Sequence, residues 1–185
     1  SDQLKHFGAA MASYGSVPLF HVVGVTPEAP DLESVCDPTD LPLHEIDAAA
    51  FESFYARYQG RGDKLDVVVF SAPQLSLLEM QSLASLLEGT RIHSDTSLLA
   101  VTSPVVAADA RRLGISERIE ASGAMVLEGM CFYQSYAREM GVANGWRRLM
   151  TNSAKLTNII GGYDYKPTLA SMESCVASAI AGKVL

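Results

Sequence analysis

The residue types best suited to chemistry collect in 150–155, Met-Thr-Asn-Ser-Ala-Lys, with Cys131 upstream and Cys175 downstream. Thr151, Asn152 and Ser153 are helix N-cap types, and Leu156, Ile159 and Ile160 then recur at helical spacing, behind Arg147 to Met150, which reads as the end of a short strand. The segment is therefore expected to be a strand-to-helix corner. Such a corner turns free backbone N–H groups and the positive end of a helix dipole outward, which favours a carboxylate or phosphate. Asn152, Ser153 and Lys155 are the candidate substrate-binding side chains. The same pattern also describes an ordinary capped helix carrying a solvated lysine.

The elements that must position this corner are read from periodicity and punctuation. Apolar residues on one face of 3–15 predict a helix stopped by Gly15. The run VPLFHVVGV at 17–25 reads as a strand buried on both faces, and 31–46, with Pro38 and Pro42, as an irregular loop. A helix is expected over 48–58 behind Asp47. LDVVVF at 65–70 is the second strand, closed by a Ser71-Ala72-Pro73-Gln74 turn. Ser76 and Glu79 form a capping-box pattern that opens a helix to Leu87.

Strands are further expected at 98–102, 124–127 and 146–150. Helices are expected from Ser103-Pro104 to Leu113, over 116–121, weakly over 133–140, after the corner, and over 169–180. Strands alternating with helices of this length predict an α/β fold: a three-layer αβα domain with a mainly parallel sheet of about five strands. Residues 1–185 are read as one such domain. In a sheet of this kind ligands bind beyond the carboxyl ends of the strands, where Ser71, Gln74, Thr102, Glu128, Cys131 and the 151–155 corner all fall.

The formal charge of −7 is dispersed, with no basic stripe, which argues against nucleic acid as a partner. No apolar segment is long enough for a bilayer, and no secretion signal is visible at the start. The chain starts at Ser1 and turns helical almost at once, so it reads as a processed chain or a piece of a longer one. Three widely spaced cysteines do not make a disulfide framework and suit a reducing cytoplasm. Cys175, in a helix, reads on periodicity as core filler; Cys131, in a loop after a strand, is less usual for that role. Zinc, Walker, G-x-G-x-x-G and G-x-S-x-G signatures are absent. His21 is expected to be a core histidine, and His6, His44 and His93 surface residues.

The segments LFHVVGVTPEAP (19–30), SAPQ (71–74), ASGAMVLEGMCFY (121–133), TNSAKLTNIIGGYDYKP (151–167) and ESCVASAIAGKV (173–184) resemble, in order, the C-terminal part of the large catalytic component of the aconitase X family. The likeness is to the bacterial branch, which dehydrates cis-3-hydroxy-L-proline to a pyrroline carboxylate; an archaeal branch dehydrates mevalonate 5-phosphate. The resemblance implies an aconitase-type domain of a cytoplasmic hydro-lyase acting on a small hydroxy acid. It implies an iron–sulfur cluster on three cysteines, two of which fall on Cys131 and Cys175, the third lying outside this chain. It also implies partners in the remaining aconitase X domains, including the small swivelling one, and an isolated chain that is inactive. The alternative of a different class is a non-catalytic α/β ligand-binding or assembly domain whose cysteines only pack.

Overall fold

The computed structural model describes residues 2–185. Helix α1 (Asp2–Gly15) is followed by an irregular stretch and by α2 (Ala48–Ala56). The alternating part then runs β1 (Val67–Leu75), α3 (Leu77–Leu87), β2 (Ser97–Thr102), α4 (Pro104–Arg112), α5 (Ile115–Ala121), β3 (Met125–Glu128), α6 (Ala137–Asn144), β4 (Arg148–Thr151), α7 (Ala154–Ile160), β5 (Lys166–Leu169) and α8 (Met172–Ala181).

The five strands form one sheet in the order β3-β2-β1-β4-β5, every neighbouring pair parallel. The consecutive buried residues Val67, Val68, Val69 and Phe70 show why: side chains alternate across the sheet, and both faces are covered. Val68, Phe70, Leu98, Ala100 and Met150 pack on one face against Met80, Leu83, Ile119, Val176 and Ala179 of α3, α5 and α8. Val67, Val69, Leu99 and Leu149 pack on the other against Phe132, Ala137, Leu156 and Ile160. The result is the α/β, three-layer arrangement expected from the alternation.

The membership of the sheet departs from the sequence-based expectation at three places. Residues 17–25 are not a strand: Leu19, Val23 and Val25 are exposed, and Phe20 sits edge-on to Phe7 of α1 with ring centroids 5.0 Å apart. An apolar β-branched run becomes a strand only where a neighbouring strand can pair with it, and the sheet offers none here. His21 in this run is exposed rather than a core residue. Second, β1 does not stop at Phe70. It continues through Ser71-Ala72-Pro73-Gln74 to Leu75, with a register jump against β2 that accommodates Pro73. Third, β5 is an additional strand, short and at the sheet edge, where Pro167 is tolerated. The terminal helix accordingly starts at Met172 rather than 169.

Where β1 meets β4, only Val67 with Leu149 and Val68 with Met150 are paired. At the amino end of β4 the buried Asp66 carboxylate accepts the backbone N–H groups of Arg147 and Arg148 at 2.8 and 2.9 Å. Removing this acceptor in Asp66→Ala leaves two N–H groups unpaired. We expect a loss of about 2–3 kcal/mol in urea denaturation, the usual range for bonds to a charged acceptor.

Candidate active site at the sheet switch point

β1 is the first strand in sequence but the middle one in space, and the chain adds β2 and β3 on one side of it and β4 and β5 on the other. The split between β1 and β4 is therefore the topological switch point, the usual ligand position in an open parallel sheet. Beyond Met150 the two strands separate, and β4 ends at Thr151 while β1 runs on.

The 151–155 corner forms as expected, with Ser153 capping α7: its Oγ accepts the Leu156 N–H at 3.0 Å. The same hydroxyl donates to the backbone carbonyl of Ala72 on β1. Ser153 is 1% exposed, so its hydroxyl is occupied on both counts inside the protein. Ala72 holds φ +56 and is 7% exposed, a left-handed backbone costly for a residue with a Cβ. Asn152 lies just outside this bond and lines a crevice. Lys155 is half-buried in the first turn of α7.

The crevice has a volume of about 480 Å³; His6 of α1, Glu79 of α3, Asn152 and the Ala170–Ser171 entry to α8 are among its walls. Neither His6 nor Glu79 stood out in the sequence. Glu79 was legible only as the third residue of a capping box, which it does form with Ser76. Its carboxylate also accepts from Lys5, pairs with His6 Nε2 at 2.8 Å, and accepts the Ser76 N–H at 2.8 Å. Burial alone would raise its pKa. The hydrogen bonds from His6, Lys5 and Ser76 outweigh that and hold the carboxyl down to about 2. His6, expected at the surface, is half-buried in this pairing. Lys5 further donates to the Gln74 carbonyl at 2.8 Å, and Ser76 Oγ to Asp2 at 3.0 Å, so α1 is fastened over the carboxyl edge of the sheet.

The cysteines reach the same edge from opposite faces. Cys131 precedes a helical turn at 132–134 and is half-buried among the residues around Phe132. Its loop is held back toward β1 by Gln74, which donates to the Met130 carbonyl at 2.9 Å, and by Ser71 Oγ, which accepts the Phe132 N–H at 3.4 Å. Cys175, in the first turn of α8, is wholly buried in the core of the other face, and burial drives its thiol pKa strongly upward. Cys36, far away in sequence, is half-buried beside the Leu32 carbonyl. Cysteine sulfur is the right donor chemistry for an iron–sulfur centre. Among the described residues, however, no three His, Cys, Asp or Glu side chains gather as a metal site. No helix among them is long and apolar enough to cross a membrane.

The sheet and its helices form a doubly wound α/β fold with a crevice at its switch point. The chain belongs to the aconitase X family. The model of the aconitase X third domain matches residues 65–181, and that of the second domain residues 1–56. Over 185 residues the chain is 34% identical to cis-3-hydroxy-L-proline dehydratase of Pseudomonas aeruginosa, covering 98% of this chain and 32% of that protein. It is 33% identical over 162 residues to the phosphomevalonate dehydratase large subunit of Methanothermobacter thermautotrophicus, covering 88% of this chain and 38% of the relative. The holo-form crystal structure of Thermococcus kodakaraensis aconitase X superposes with a TM-score of 0.84 at 27% identity, over 96% of this chain and 44% of that one. The chain thus spans about a third of the length of the bacterial relative.

Two outcomes follow from this geometry. Ser153→Ala removes a helix cap and a buried cross-strand bond together and should cost about 1–3 kcal/mol by thermal or urea denaturation. Glu79 binds a proton less readily folded than unfolded. The stability it contributes is therefore complete above its ordinary value of 4.5 and declines as pH falls toward about 2. Glu79→Gln should flatten stability against pH in that window, read by denaturant midpoints across it.

Proposed function

We propose that this chain is the part of an aconitase X hydro-lyase that carries the substrate crevice and two of the cluster thiolates. The substrate best supported is cis-3-hydroxy-L-proline, dehydrated to pyrroline-2-carboxylate. The observation that carries the reading is the crevice at the switch point, with Asn152 in its wall and Cys131 and Cys175 arriving at the same sheet edge from either face. Asn152 and Lys155 bind the substrate carboxylate. Ser153, whose own hydroxyl is occupied, sets the corner that presents them.

Cys131 and Cys175 supply two of three iron–sulfur ligands, and the third comes from outside residues 1–185. When bound, the cluster supplies Lewis acidity toward a leaving hydroxyl. Ligation of Cys175 requires release of a thiol proton that burial now retains, and local opening of the first turn of α8. The remaining aconitase X domains, including the small swivelling one, are the partners, and the isolated chain is inactive as a dehydratase. Free thiols suit a reducing cytoplasm.

The similarity to a phosphomevalonate dehydratase subunit keeps a phosphorylated hydroxy acid as a second reading. The arginine pair argues for the smaller substrate. Arg147 precedes and Arg148 opens β4 at its amino end, across the sheet from the crevice, so neither supplies a phosphate cradle there. Iron and acid-labile sulfide per chain, measured on the anaerobically purified complete enzyme, test the ligand assignment. Cys131→Ser and Cys175→Ser should each lose most of the iron and the turnover of cis-3-hydroxy-L-proline. Retention of iron and turnover by both variants would leave these cysteines as packing residues.

A further inference from the structure

A dehydration of this type needs a proton acceptor, and none follows from the features so far assigned. The hydroxy acid loses a hydrogen from the carbon next to its carboxylate. With that carboxylate beside Asn152, the reacting C–H lies within the same crevice, and the candidate acceptor must line it too.

Of the groups in the crevice wall, His6 carries an imidazole, whose unprotonated ring nitrogen can accept a proton. Its ring is fixed rather than free. Nε2 lies 2.8 Å from Glu79 Oε1, and Glu79 is itself held by Lys5 and by the Ser76 N–H. A carboxylate fixed on one imidazole nitrogen orients the ring and stabilises the cation formed when the other nitrogen accepts a proton. The pair joins residues 73 positions apart, from α1 and α3, and neither lies in a strand.

Resting on the hydro-lyase reading above, we infer that His6, oriented by Glu79, is the general base of this crevice. It takes the hydrogen from the carbon α to the substrate carboxylate. The C–H electron pair becomes the new carbon–carbon double bond, the bond from the neighbouring carbon to oxygen breaks, and hydroxide departs. That hydroxide together with the proton on His6 accounts for the water released. Glu79 acts through His6 and is a positioning residue.

The test uses the complete, metal-loaded enzyme and cis-3-hydroxy-L-proline. His6→Gln should lower kcat by about 100-fold or more, the usual contribution of a positioned base, with KM changed less than about threefold and iron content unchanged. The acidic limb of the wild-type kcat/KM profile should disappear in this variant. Asp2, Lys5, Tyr55, Glu79 and Glu173 are the other titratable groups on the same crevice and its bracing, so Glu79→Gln is profiled alongside. That variant should lose about tenfold in kcat and keep an acidic limb.

Independently of turnover, the His6 ring resonances should move when pyrrole-2-carboxylate, a planar carboxylate resembling the product, is titrated in. If His6→Gln lowers only the melting temperature and keeps kcat within threefold, His6 merely fastens α1 and the assignment is overturned. If the wild-type enzyme fails to turn over any hydroxy acid, the hydro-lyase reading fails. The ring titration then decides for His6: unmoved resonances place it away from the carboxylate and overturn the inference.

Discussion

A single hydroxyl holds together the part of the molecule on which everything else depends. Ser153 Oγ accepts the Leu156 N–H and donates to the Ala72 carbonyl across the divide where β1 and β4 stop pairing. On one side this bond fixes the axis of α7. On the other it fixes a backbone carbonyl in a residue with unfavourable positive φ. An open parallel sheet has its weakest lateral connection at the switch point, because the connecting helices leave in opposite directions. A buried side-chain bond there keeps the divide at a constant width, and Asn152 keeps a constant position at its mouth.

The walls of the crevice have different origins. One side comes from Glu79 of α3, Asn152 just past β4 and the start of α8, within the stretch matched by the third-domain model. The other side comes from α1, within the stretch matched by the second-domain model, and is attached by Lys5, His6 and Asp2. Partly buried polar contacts of this kind add little net stability but strongly restrict orientation, since displacement of α1 leaves the Glu79 carboxylate with only the Ser76 N–H. The attachment of α1 is thus a matter of alignment more than of adhesion.

Sequence reasoning reached the fold class because buried parallel strands and capped helices leave strong local marks. The Ser76–Glu79 capping box, the Ser103-Pro104 opening and the Asp47 cap all form as the residues suggest. It failed where the outcome depends on distant partners. The 17–25 run carries the composition of a strand but lacks a neighbour in the sheet. Residues 71–74 carry the composition of a turn but stay within β1, which meets β2 again at Leu75 after a shift in register. β5 is four residues long and contains a proline, too weak a local signal to detect. The same rule governs the crevice wall: the corner and cap that place Asn152 are local, whereas the approach of His6 to Glu79 depends on how α1 lies across the sheet, which no spacing encodes.

The enclosure of Cys175 has a kinetic meaning. A sulfur with no exposed surface and a thiol held protonated by burial reacts with alkylating reagents only during moments when the first turn of α8 lifts from the sheet. Half-exposed Cys131 and Cys36 carry no such delay. The three thiols of one chain therefore form an internal clock, in which the lag of Cys175 behind the other two measures how often this end of the core breathes.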